Sequence, residues 1–139
     1  MEIHTAIIEV DQTIGPDISD ITSMVNSIVA KSGIYEGVAL LNIIGSTGSI
    51  TTIEFEPGVV EDLKDAIERL APKDLVYKHE LAWHDGNGHS HVQAALIGPS
   101  LNITIINGRL QLGTWQQIVV INHDNKPRRR KISCTIIGK

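Results

Sequence analysis

Residues 76–98, VYKHELAWHDGNGHSHVQAALIG, decide the fold, because they separate a helix-containing first half from a strand-rich second half. Val92, Ala94 and Leu96 alternate with Gln93 and Ala95 as on a half-buried strand, and Gly86-Asn87-Gly88 has the composition of a tight turn. The stretch then reads as VYKHELAW, a turn and HVQAALIG. Three more strand candidates follow, NITIIN, WQQIVVINH and RKISCTIIG, punctuated by GPS, NGR and DNKPR.

Towards the N-terminus the pattern changes period. EIHTAIIEV reads as a strand, and Asp17 to Ser32 carries Ile18, Ile21, Val25, Ile28 and Val29 at helical spacing with Gly33 as the stop. GVALLNIIG and SITTIEF read as two strands of a hairpin joined by the Gly45 to Gly48 turn. A second helix opens near Pro57, aligns Val59, Leu63, Ile67 and Leu70 on one face, and ends before Pro72. The expected architecture is α+β, two helices packed on a mainly antiparallel β-sandwich or partial barrel, with residues 1–139 as one domain.

A chain of 139 residues buries enough surface to fold without a disulfide or a structural metal. Its one cysteine, Cys134 in KISCTII, has no internal partner and reads as a small buried hydrophobe, which fits a reducing cytoplasm. MEIHTAIIEV lacks the basic start and unbroken apolar core of a signal peptide, and no apolar run reaches membrane-spanning length, so a cytoplasmic protein without membrane contact is expected. Charge is lopsided: residues 1–74 hold four Lys/Arg against thirteen Asp/Glu, a balance of −9, and residues 75–139 hold eight against three, a balance of +5. Anions are therefore expected at the second half. Its basic residues, Arg109 and the run Arg128 to Lys131, lack the interleaved aromatics of single-strand nucleic-acid binders, which favours a phosphate-bearing small molecule over nucleic acid. A solvated strand end beside Pro127 accounts for the basic run equally well.

Four of the six histidines, His79, His84, His89 and His91, fall within thirteen residues together with two acids and Asn87. On a strand, His89 and His91 share a face, and with His79 they offer three nitrogens to a divalent metal such as zinc or magnesium, with His84 in reserve. A metal-free phosphate site and an incidental glycine-rich loop stay open beside that reading. A second run, NGRLQLGTWQQ at 107–117, concentrates polar groups around Gly113, which weakens a strand and leaves room for a close approach. Arg109 suits a carboxylate or phosphate, Gln116 a heterocycle's hydrogen bonds, and Trp115 a stacked ring, whereas a β-bulge with a core tryptophan needs none of this.

GSTGSITTIEFEPGVVEDL, NGHSHVQAALIGPSL, NGRLQLGTWQQIVV and KPRRRKI, in this order and spacing, resemble the YjbQ-type family, also called the secondary thiamine-phosphate synthase family. The likeness covers nearly the whole chain, and GRLQLGTWQ is its most specific part. It implies a small α+β homotrimer with a side activity that joins a hydroxymethylpyrimidine diphosphate to a thiazole phosphate. Carried over by position, it places family residues at Glu54, His79, Asn87, His91, the Gly108 to Gln116 motif and Arg128. The expected roles are catalytic for Glu54, Arg109 and Gln116, substrate-binding for Asn87, Thr114, Trp115 and Arg128, and metal-ligating for His79, His89 and His91. One departure is that many members carry a histidine where this chain has Gly45, so the site is either rebuilt with His84 or His89 or altered in activity. Two function classes follow: the synthase-like enzyme, or a non-enzymatic homotrimer that binds a metal or a small phosphate ligand.

Overall fold

A computed structural model describes residues Met1–Lys139. In chain order the elements are β1 (Glu2–Gln12), β2 (Asp17–Asp20), α1 (Thr22–Ser32), β3 (Gly37–Ile44), β4 (Gly48–Ile53), α2 (Pro57–Leu70), α3 (Glu80–Trp83), α4 (Gly88–Ile97), β5 (Ser100–Ile106), β6 (Arg109–Leu110), β7 (Gln117–Asn122) and β8 (Arg128–Gly138). Every strand pairing is antiparallel, in a five-stranded sheet ordered β1-β8-β3-β5-β6 and a three-stranded sheet ordered β2-β7-β4. The fold is α+β, with the antiparallel sheet curled into a half-barrel. No helix is long and apolar enough to cross a membrane.

Two apolar clusters flank the smaller sheet. The larger joins Ile21, Val25 and Val29 of the α1 region to Ala39, Leu41 and Ile43 of β3, Ile132, Cys134 and Ile136 of β8, and Ile50, Ile118 and Val120 from the three-stranded sheet. The smaller joins Ile18, Val119 and Ile121 to Ile67 of α2, with Leu63 and Ile97 packed against it. Successive β7 residues thus alternate between clusters, and all four of Ile118 to Ile121 are fully buried. This is why β7 reads as an unbroken apolar run: a strand covered on both faces has no polar side to show. Burial also makes Cys134 a core residue and pushes its thiol up to about 11.

Three local readings are corrected. Asp17 to Asp20 is a strand, not the first turn of a helix, because Ile18 pairs beside Ile121 and faces α2, while the Asp20 carboxylate accepts from Thr22 N and Oγ1 and turns the chain into α1. The expected hairpin of β3 and β4 does not form: β3 lies between β8 and β5, β4 pairs with β7, and residues 45–47 carry the chain from one sheet to the other. The stretch 76–98 holds no strand at all. Instead of two strands it forms the short α3 and the ten-residue α4, so the helices number four rather than two. Ser90, Gln93, Ala94 and Ile97 recur at helical spacing on the covered face of α4, a period that the alternation of Val92, Ala94 and Leu96 concealed. Asn87-Gly88 accordingly opens a helix and not a hairpin. Gly88 is there for close packing, since a Cβ on it would lie 2.4 Å from Tyr77 Cβ. The second Asn-Gly pair behaves as read: Asn107 and Gly108 both take positive φ, 53° and 70°, in the tight β5–β6 turn.

Candidate functional site

Three polar segments meet at one end of the smaller sheet: the 45–47 crossover, residues 84–91 at the start of α4, and Asn122 to Asp124, where β7 ends. They enclose a cleft of about 290 Å³ lined by no hydrophobic side chain. Its floor is Asp124, a carboxylate only 1% exposed. Oδ2 accepts from Thr47 Oγ1 at 2.8 Å and Arg128 Nε at 2.9 Å, and Oδ1 accepts from Lys126 N at 3.1 Å. Burial pushes the Asp124 carboxyl up, but the hydrogen bonds from Thr47 and Arg128 outweigh it and hold the group below the ordinary range.

Alternation along β8 sorts the basic run that the sequence left ambiguous. Arg129 points away and pairs with Glu9 at 3.1 Å and Asp11 at 3.5 Å, on the solvent side. Arg128 and Arg130 share the other face, and both line the cleft. Arg130 is 5% exposed, and its Nη2 donates to Thr47 Oγ1 at 2.7 Å and Asn122 Oδ1 at 2.6 Å.

Behind this floor, His123 is held as a neutral ring. Gln93 Nε2 donates to Ala71 O at 2.9 Å, which aims Gln93 Oε1 at His123 Nδ1, 3.0 Å away; Nδ1 therefore carries the proton. Nε2 then accepts from Ser49 Oγ at 2.8 Å. Burial, with the charge of Arg130 second, lowers the His123 pKa to about 4. One imidazole thus ties α4 to β4 and to the loop that carries Asp124.

The rim is set by Glu80 of α3, whose carboxylate accepts from Gly86 N at 2.7 Å and Gly88 N at 3.3 Å and so folds the loop before α4. Asp85 then lies 3.3 Å from His79 Nε2, an electrostatic contact without the alignment of a hydrogen bond. His79 in turn packs on His91, ring centroids 4.6 Å apart. Asn87 Oδ1 accepts from Ser90 Oγ, and Ser90 Oγ also lies 2.7 Å from His123 O.

The sequence-derived residues divide between places. His79 and His91 come together, and His91, Asn87 and Arg128 line the cleft. His89 does not join them: two positions apart on a helix face opposite ways, and its ring is buried towards Tyr77, at 6.5 Å between centroids. The expected convergence of His79, His89 and His91 rested on a strand that is a helix, and no three His, Cys, Asp or Glu side chains of the chain gather in a metal-holding group. His84, in the left-handed conformation at φ 52°, is the C-cap of α3 and does not line the cleft.

A second groove, of about 450 Å³, takes Glu54, Thr114 and Trp115, beside Asp20, Phe55 and Glu56. Gln116 stays local, donating to Thr52 Oγ1 at 3.1 Å and accepting from Gly113 N at 3.0 Å. Glu54 lies six residues along β4 from Gly48, about 20 Å at the rise of a strand. Trp115 is 73% exposed, which disposes of the core-tryptophan reading. Arg109 is exposed on β6, at the edge of the larger sheet, with its neighbour Leu110 opposite Ile105 and Ile105 opposite Gly37. Gly37 opens β3, and the cleft begins beyond that strand's far end, roughly 25 Å away. Within the chain the histidines and the GRLQLGTWQ run therefore do not share a pocket.

Comparison with known proteins fits this geometry to a family. Residues 6–139 match the model of the family described as UPF0047 protein YjbQ-like. The chain belongs to the YjbQ/UPF0047 family. A UPF0047 protein of Methanothermobacter thermautotrophicus is 36% identical over 141 residues, covering 100% of this chain and 95% of that one. The UPF0047 protein YugU of Bacillus subtilis is 32% identical, covering 94% and 97%. A crystal structure of a YbjQ-like protein of unknown function from Sulfolobus solfataricus superposes with a TM-score of 0.95 at 32% identity, covering 99% of each chain. A hypothetical protein from Aeropyrum pernix gives 0.91 at 29% identity, covering 98% and 99%.

In this YjbQ-family chain, the residues that sequence reading does not single out are Asp124 and Arg130, which both bond Thr47 Oγ1, then Asn122, which accepts from Arg130, and His123 behind them. A signal was present. Four polar residues, Asn122 to Asn125, follow directly on the apolar IVVI, and three of them are buried. Gly45 lies at the mouth of the cleft with φ 134°, a conformation that disfavours any side chain, and a Cβ there would be 2.9 Å from Arg130 Nη1. A side chain at this position would meet Arg130, and neither His84 nor His89 lines the cleft in its place.

Proposed function

We propose that the cleft binds a phosphorylated small molecule and that, bound there, a hydroxymethylpyrimidine diphosphate is joined to a thiazole phosphate, the reaction implied by family resemblance. The observation that carries this reading is the posture of Arg128. Its Nε is anchored on buried Asp124, while its Nη atoms make no hydrogen bond within the chain and the side chain is 47% exposed. A guanidinium held at one end and free at the other is preorganised for phosphate oxygens.

In the proposed reaction the bond from the pyrimidine's exocyclic carbon to the diphosphate oxygen breaks, the thiazole nitrogen's lone pair forms the new C–N bond, and pyrophosphate departs with the electron pair. The chain's part is electrostatic: Arg128 and an imidazole N–H of His91 meet the charge that builds on the departing oxygens, and Asn87 orients the ring. Asp85 lies 3.3 Å from His79 Nε2 and His79 packs on His91, which fixes the His91 ring at the cleft. The metal set expected from sequence is not gathered within the chain, because the His89 ring turns towards Tyr77 and away from His79 and His91.

One observation favours the second reading, a ligand-binding protein without catalysis: Glu54 and Arg109, two of the three expected catalytic groups, lie about 20 Å or more from the cleft at the rise of a strand. Arg128→Ala separates binding from both. Calorimetry with a thiazole phosphate is expected to show affinity at least about tenfold weaker than wild type, with far-UV circular dichroism unchanged. Equal affinity in the two proteins removes the proposed role, and binding without product in a coupled assay selects the second reading.

We further propose a cytoplasmic homotrimer. The outer face of the larger sheet exposes Ile3, Ile7, Leu40 and Ile44, an apolar surface that no element of the chain covers. Light scattering at micromolar concentration is expected to give three times the 15.2 kDa chain mass, and a monomer mass contradicts it.

A further inference from the structure

Arg130 is a buried cation with no carboxylate in contact, and Asp124 acts on it only at longer range. Its neighbours Arg128 and Arg129 each have a carboxylate within ion-pair distance, and Arg130 has none. Its two hydrogen bonds, both from Nη2, go to neutral oxygens of Thr47 and Asn122. Nε is buried with no acceptor, and Nη1 makes no hydrogen bond within the chain. Removing a guanidinium from water in this way is unfavourable unless an anion compensates it, and an orphaned buried donor adds to that cost. The side-chain-free Gly45 and Gly48 lie against the idle edge: Cβ atoms there would come within 2.9 Å of Nη1 and 3.1 Å of Nε.

Arg130 is also joined to Arg128 through two side chains. Thr47 Oγ1 accepts from Arg130 Nη2 and donates to Asp124 Oδ2, which accepts from Arg128 Nε. The two guanidinium groups therefore flank one Thr47–Asp124 bridge, on the same face of β8 and two residues apart, about 7 Å along the strand. A single phosphoryl group on Arg128 leaves Arg130 uncompensated. A diphosphate supplies both.

We propose that Arg130 is a second phosphoryl seat, beneath the Gly45 to Gly48 turn, so that the cleft takes diphosphates, with one phosphoryl group on Arg128 and the other on Arg130. This rests on the phosphate-binding reading of the same cleft and adds the residue that holds the second phosphoryl group of the diphosphate. Asp124 neutralises Arg128, so the net positive charge that draws the ligand in resides on Arg130.

The test compares inorganic pyrophosphate with inorganic phosphate on the full chain and on Arg130→Met, which keeps the side chain's volume and removes its charge. The variant retains its fold on this account, because Thr47 Oγ1 still donates to Asp124 and Asn122 Oδ1 still accepts from Asp124 N at 3.2 Å. Calorimetry is expected to give pyrophosphate at least about tenfold tighter than phosphate in the wild type, and near-equal weak binding of the two in Arg130→Met. Should the variant fail to fold, the Nε–H resonance of Arg130 in the wild-type spectrum takes its place: it shifts on adding pyrophosphate if the seat is occupied. Unchanged pyrophosphate preference in folded Arg130→Met, or an unmoved Arg130 signal while Arg128→Ala loses binding, overturns the second seat and leaves the cleft's phosphate reading standing. Absence of any binding of either anion to the wild type overturns both.

Discussion

Asp124→Ala is expected to lose about 3–5 kcal/mol of unfolding free energy, because it removes a buried charged acceptor whose hydrogen bonds contribute roughly 1.5 kcal/mol each. The carboxylate accepts from Thr47 Oγ1, Arg128 Nε and Lys126 N, so its loss strips three donors at once and leaves Arg130 with less negative potential nearby. Asp124→Asn keeps an acceptor without the charge and should fall between wild type and Ala. Urea unfolding monitored by tryptophan fluorescence measures both. A loss below about 1 kcal/mol for the Ala variant is what a solvated surface pair gives, and it would mean that Asp124 is not the floor on which the site is built.

Acidification is the second large effect, and its sign follows from His123. The ring's pKa falls from 6.5 to about 4 on folding, because burial and the charge of Arg130 disfavour the imidazolium. The unfolded chain therefore binds the proton first. Stability from this group is complete above about pH 6.5 and drains away as the pH falls towards about 4, by about 3 kcal/mol over the window. His89, lowered chiefly by burial, acts in the same direction. Asp124, Asp85 and Glu56 are held below their ordinary values, so their contributions are lost only at still lower pH and leave this window to the histidines. His123→Gln should be less stable than wild type at pH 7.5 and show a flatter slope between pH 6.5 and 4.5. Parallel pH profiles for the two proteins would show that His123 is not the group being protonated.

How far the sequence carries the fold depends on how many faces of each segment are covered. β8 and α2 are readable because one face is polar and the period is plain: Arg130, Ile132, Cys134 and Ile136 turn inward, and Ile67 and Leu63 line one side of their helix. β7 is readable for the opposite reason, as an apolar run buried on both faces. Residues 88–97 mislead because α4 buries Ser90 and Gln93 and exposes Leu96, so hydropathy no longer marks the inside. That inversion has a physical origin: Gln93 and Ser90 are drawn inward by His123, and a polar interior cannot be anticipated without knowing its partner.

The same misreading propagated to the site. Placing His89 beside His91 required a two-residue period, and the helix turns one of them away. The GRLQLGTWQ run and the histidines resemble each other in sequence because both are polar and glycine-rich, yet β4 and β7 place Gly48 and Asn122 at one end of their sheet and Ile53 and Gln117 at the other. Arg128 and Asn87 were found from the family pattern, and Arg130 was not, because within a run of three arginines only the strand's alternation identifies the buried one.

The most direct test of the account is a chemical-shift map of the ¹⁵N-labelled protein titrated with inorganic pyrophosphate. The predicted result is a saturable set of changes centred on Thr47, Asn87, His91 and Arg128. Changes confined to the Glu54 and Trp115 groove, or no saturable change at all, would contradict the claim that this cleft is where the chain binds its phosphorylated ligand.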